Sequence, residues 1–291
     1  MVKWSQARSL FGFLLFILVT APVVTAYGAQ PQWATVNHVS LRYEVQGDGA
    51  DVIVLLQESG LPLEMWDDVV PQLLTHRRSI LRYDPRGIGL SEKIRVPFTL
   101  QDEVEDLHAL LQVAQIRRPV VLIGGAKGGS VALAFAAAHP ESVRGVIVTS
   151  PSALLQARAP RTWIDPARDP LGARRSEEAT LKVIYPERFR ADVGRWQRFL
   201  GMFGANDPDS QRLSEQLINT TGFADILPAI QCPTLLLATS LFVRPVESVR
   251  ELASKIPQGR VVVVETGHLA SWQSPELVIP IYRRFLREVG S

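Results

Sequence analysis

The chain has 291 residues, 46% hydrophobic and 21% charged, with a net charge of +2 at neutral pH. That composition is ordinary for a globular protein with a substantial core, and no Lys/Arg block or basic–aromatic interleaving points to nucleic acid. The one cysteine, Cys232, excludes an internal disulfide and reads as a small buried hydrophobe ahead of Pro233.

The N-terminus stands apart. Lys3 and Arg8 precede an apolar run over residues 10–19, and Val24-Thr25-Ala26 is a cleavage site of small residues. This is the pattern of an export signal over residues 1–26, followed by a mature domain over 27–291 in the periplasm or outside the cell. A membrane-spanning helix needs about 20 apolar residues, and Pro22 interrupts this run, so an uncleaved membrane anchor is the alternative.

Strand-like and helix-like segments then alternate. Residues 39–45 alternate in strand fashion, 52–56 form a continuous apolar strand, 65–75 read as helix and 79–83 as strand. Val104, Leu107, Leu110 and Leu111 make a helical stripe over 100–115. Residues 120–123 and 143–148 are strands flanking an Ala-rich helix over 130–139. Strands at 234–237 and 261–264, and helices near 246–256 and 275–289, close the chain. Apolar strands alternating with helices imply a mostly parallel sheet covered on both faces. The pattern breaks between 152 and 224, an Arg-rich stretch without a strand run, read as an inserted helical cap.

The stretch Gly124-Gly125-Ala126-Lys127-Gly128 has the strand–turn–helix context of a G-x-S-x-G nucleophile elbow, with alanine where the serine would stand. The glycines of 124–129 satisfy neither dinucleotide nor phosphate-loop spacing. Asp84-Pro85-Arg86-Gly87-Ile88-Gly89-Leu90-Ser91, His139-Pro140-Glu141 and Gly267-His268 complete the ordered set of motifs.

On these motifs the chain resembles the α/β-hydrolase superfamily over nearly all of residues 27–291. The resemblance implies an α/β-hydrolase fold, with a mostly parallel central sheet, helices on both faces and a helical cap at about 152–224. It also implies a nucleophile, acid and histidine in that chain order. The histidine maps to His268, the nucleophile to Ala126 and the acid to Phe242, while the oxyanion loop's His-Gly maps to Gln57-Glu58. The less common acid position, at Thr149-Ser150-Pro151, also lacks a carboxylate. Three of four catalytic elements therefore depart from the pattern, and Glu58 brings a negative charge towards the place where an anionic intermediate needs donors.

The implied reading is an exported pseudoenzyme, inactive as a serine hydrolase, that binds a small ligand or a protein partner in its cleft. Gln57, Glu58 and Lys127 are the candidate ligand contacts, with Lys127 either holding a ligand anion, solvated or paired with Glu58. The alternative is an enzyme acting on an ester, lactone or related small molecule through a non-standard site at His268. No cofactor, metal or nucleic acid is implied, and the membrane enters only through an uncleaved N-terminus. Asp84 and Arg86 read as scaffold, and Ser130 as a residue capping or lining the helix.

Overall fold

A computed structural model describes residues 30–153, 155–157, 164–165 and 167–290, with the side chains of 218 and 219 left out. The expected export signal at 1–26 lies outside the described residues. Eight strands form one sheet: β1 (Gln32–Val36), β2 (Val39–Gln46), β3 (Asp51–Leu56), β4 (Arg78–Tyr83), β5 (Val120–Gly125), β6 (Val143–Thr149), β7 (Thr234–Thr239) and β8 (Gly259–Val264). Their order is β1-β2-β4-β3-β5-β6-β7-β8. The β2 strand runs antiparallel to both β1 and β4, and every pairing from β4 onwards is parallel.

The expected strands are present, and β1 is an addition. It is an edge strand whose Trp33 is exposed, so its alternation is incomplete and the apolar pattern is weak. The turn that makes it a hairpin has both central residues, Asn37 and His38, at positive φ (45° and 64°). Such primed turns match the strand twist, and asparagine is a favoured occupant. The helix expected over 65–75 is broken into a 3₁₀ turn (Leu63–Trp66) and the single turn α1 (Val70–Leu73).

The remaining helices are α2 (Leu100–Val113), α3 (Ala126–Ala138), α4 (Pro170–Ile184), α5 (Val193–Gly204), α6 (Pro208–Thr220), α7 (Val246–Ser254), α8 (Ala270–Gln273) and α9 (Pro275–Glu288). Among the described residues no helix is long and apolar enough to cross a membrane. Because side chains alternate across a strand, the sheet buries two separate apolar layers. Val54, Leu81 and Leu122 face Leu107 of α2 and Phe135 of α3. Ile53, Ile80 and Ile123 face Trp66, Trp272 and the α9 residues Tyr282 and Phe285. Cys232 is buried, and burial pushes its thiol pKa up.

The turn after β4 is held as scaffold. Asp84 accepts the backbone N–H groups of Leu63 (2.7 Å) and Leu90 (2.9 Å), and Arg86 makes two 2.6 Å bonds to Asp106. Gly89 lies at φ +56°, and a Cβ there would come within 2.3 Å of the Asp84 carboxylate. The glycine is required by both conformation and space.

Between β6 and β7 the chain forms α4, α5 and α6, with no strand among the described residues. Asn206 donates to the Gly60 carbonyl (2.6 Å) and accepts from the Gly89 N–H (3.0 Å), which ties this segment to the loop beyond β3 and the turn after β4. Ser210 accepts from the Ile94 N–H, and Asp207 takes two bonds from Arg95. Several arginines of the stretch are spent inside the molecule: Arg195 pairs with Asp68 and Arg198 with Asp67. A small aromatic cluster of Tyr185, Trp196 and Phe199 supplies its own core.

Candidate active site

The β5 strand ends in two glycines and turns directly into α3, whose first residue is Ala126 at φ +42°. A non-glycine residue in this left-handed region carries a local cost that sharp functional turns characteristically tolerate. The helix can approach the sheet because its flanking positions lack side chains. A Cβ on Gly128 would lie 2.4 Å from the Leu56 carbonyl oxygen. Ala126, the residue expected at the nucleophile position, is buried and carries only a methyl group.

His268 follows β8 in the loop before α8. Its side chain is 13% exposed, and its Nε2 lies 3.7 Å from Oε2 of Glu58. The ring of Phe242 covers it, with centroids 4.2 Å apart. Nδ1 has no hydrogen-bond partner among the described residues. Phe242, the residue expected at the acid position, thus presents an aromatic face to the imidazole. Below it, Ser150 (φ +46°) donates to the His268 carbonyl at 2.6 Å and bonds the Thr239 hydroxyl at 3.0 Å. The residue after β6 therefore holds the histidine's backbone.

Glu58 sits against the elbow. A Cβ on Gly125 would lie 2.5 Å from the Glu58 Cγ. Its carboxyl group is buried, and neither oxygen has a hydrogen-bond partner among the described residues. Burial alone pushes its pKa well above the usual carboxylate range. The same burial, reinforced by the Arg244 guanidinium, pulls His268 down to about 4. Burial thus disfavours the charged form of both groups, so the contact is not a favoured ion pair. The same burial works against the negative charge that the sequence places at Glu58, because it favours the protonated form, which carries an O–H donor.

Two other expected contacts are placed elsewhere. Lys127, expected on a ligand or on Glu58, ion-pairs in the interior with Glu103 of α2, and its ammonium donates to the Ser214 hydroxyl of α6 at 2.6 Å. Gln57 donates to the Tyr83 carbonyl at 2.5 Å, which is a loop-anchoring role. Ser130 is buried with its hydroxyl unpartnered among the described residues, so it caps nothing. Glu103 escaped the sequence reading although it lies one turn before Leu107, a carboxylate on the side of the helical stripe that becomes buried. Tyr282 was also missed. Its hydroxyl meets Ser271 at 2.7 Å, and burial, with a smaller contribution from Glu58, pushes its pKa up. Among the described residues no group of three or more His, Cys, Asp or Glu side chains is placed to hold a metal ion.

The strand order, the elbow after β5 and a histidine after β8 define the class. The profile of the alpha/beta hydrolase fold family matches residues 53–275, and the chain belongs to that family. It is 27% identical over 216 residues to the serine hydrolase BPHL of Mus musculus, a match covering 69% of this chain and 66% of that protein. It is 25% identical over 232 residues to a poly(3-hydroxyalkanoate) depolymerase of Ectopseudomonas oleovorans, covering 72% of this chain and 75% of that one. The fold superposes on the enol-lactonase of Burkholderia xenovorans LB400 with a TM-score of 0.78 at 24% identity, over 88% of this chain and all of the other. A thermophilic esterase from Thermogutta terrifontis gives 0.74 at 25% identity, over 90% and 100%.

Proposed function

We propose that this protein binds a small neutral carbonyl compound, of the ester or lactone kind, between Ala126, Glu58 and His268, and forms no acyl-enzyme. The observation that carries the reading is the Glu58 carboxyl group, buried on the elbow with both oxygens unpartnered and 3.7 Å from His268. An unsatisfied buried polar group costs about 1–3 kcal/mol, and a degenerate cleft would relieve that cost with an apolar residue. Burial that disfavours charge on both Glu58 and His268 suits an uncharged ligand that offers an acceptor oxygen. The related esterase and lactonase names support a carbonyl ligand, and Ala126 supports the absence of acyl transfer. In the same reading residues 152–224 form a cap over the ligand, and residues 1–26 direct export of the domain.

Saturation-transfer NMR with dihydrocoumarin, a small lactone, and 2-tetralone, a small ketone, tests this. Transfer from the folded protein to both probes is expected, and Ala126→Trp, which fills the cleft with an indole, should abolish it. Absence of transfer, or transfer unchanged in a folded Ala126→Trp variant, would overturn the reading.

A further inference from the structure

We infer a proton-transfer activity at carbon: the Glu58–His268 pair interconverts the keto and enol forms of a small ketone, with Glu58 on the carbonyl oxygen and His268 Nε2 on the neighbouring C–H. The inference rests on the carbonyl-ligand reading above and adds a reaction to it. Its basis is geometric. The two groups face each other at 3.7 Å, wider than a hydrogen bond, and neither carboxyl oxygen is engaged elsewhere among the described residues. That gap lets one group reach a carbonyl oxygen while the other reaches the carbon two bonds away on the same ligand.

The surroundings favour this chemistry over acyl transfer. Acyl transfer needs a nucleophile and an acid behind the histidine, and those positions carry a methyl group and an aromatic ring. Enolisation needs neither. The Nε2 lone pair takes the proton from carbon, the C–H pair becomes the new C=C bond, and the carbonyl π pair moves onto oxygen. That oxygen takes the Glu58 proton. The products are the enol, an imidazolium and a carboxylate, and the last two attract one another across the same gap. Reprotonation at the same or another carbon reverses the flow, so no external oxidant, reductant or co-reactant is consumed.

The protonation states fit. Burial favours the protonated form of Glu58, the form that a donor to an enolate-like oxygen needs, and the neutral form of His268, the form that a base needs. A carboxylic acid held neutral in an apolar site is an established stabiliser of developing enolate oxygens, and a base of modest strength suffices beside it. The Ala126 methyl also fits, because a serine there would offer its oxygen to the carbonyl carbon.

The test is hydrogen–deuterium exchange at C1 and C3 of 2-tetralone, followed by proton NMR in deuterated buffer, with saturation transfer recorded on the same samples. Wild-type protein is expected to accelerate exchange at least tenfold over buffer and over the Ala126→Trp variant. His268→Gln and Glu58→Gln should each lower the protein-dependent rate by about 10²-fold or more, compared at ketone concentrations at which the variant shows saturation transfer equal to wild type. Binding without accelerated exchange would overturn the inference and leave the ligand site standing, as would acceleration that survives both substitutions. Absence of binding would overturn both.

Discussion

Replacing Lys127 by methionine is expected to cost about 3–5 kcal/mol of folding stability. The aliphatic stem is conserved by the change, so packing is largely kept and the charge is what is lost. Glu103 would then hold a carboxyl group in the interior with one oxygen already unpartnered and the other stripped of its ammonium partner. Removing one member of a buried pair is costly because the other cannot return to water. Ser214 would lose the donor that links α6 to the elbow. Urea unfolding at pH 7 measures the loss, and the double variant Lys127→Met with Glu103→Met should recover most of it. A loss below about 1 kcal/mol would show that the pair is not buried as described.

The second large effect is a pH dependence with opposite signs at the two site residues. His268 is held at about 4, below its ordinary value of about 6.5, so the fold favours the neutral ring. Its contribution is fully present above about pH 6.5 and is lost as the pH falls towards 4. Integrated over that window the loss is about 3 kcal/mol. Glu58 is shifted upwards, so the fold favours its protonated form. Stability falls as the pH rises from the ordinary carboxylate range, about 4, through its elevated native value. Other groups titrate over the same range, so the informative quantity is the difference between wild type and variant. In unfolding free energies from pH 4 to 8, His268→Gln should remove an acid-side loss and Glu58→Gln an alkaline-side one. Curves parallel to wild type throughout would contradict the placement of both groups.

The fold was legible because its determinants are local and ordered. The continuous apolar runs of β3, β5 and β7 need burial on both faces, and the Gly/Pro-punctuated turn at 84–91 marks where the chain must bend. What stayed hidden depended on partners distant in sequence. Asn37-His38 carries only half of a turn signature, so β1 was invisible until paired with β2. At the site, the alanine at 126 and the phenylalanine at 242 are plain in the sequence, and the structure adds that the Phe242 ring lies on His268. The direction taken by Lys127 could not, because a lysine after the elbow is equally able to reach the cleft or α2. Glu103, 24 positions earlier, decides it. Glu58 posed the subtler difficulty. Sequence gives the residue but not its burial against Gly125, which pushes the carboxyl group towards its protonated form.

The measurement that bears most directly on the central claim is intact-protein mass spectrometry after incubation with a serine-directed phosphonate, with heat-denatured protein as control. A fold that kept the elbow without its nucleophile should return the unmodified mass, since Ala126 has no oxygen to phosphonylate and the buried Ser130 hydroxyl has no hydrogen-bond partner among the described residues to activate it. A stoichiometric single adduct on the folded protein, mapping to Ser130, Ser150 or any other hydroxyl, would contradict the account and place a relocated nucleophile in an acyl-transfer enzyme.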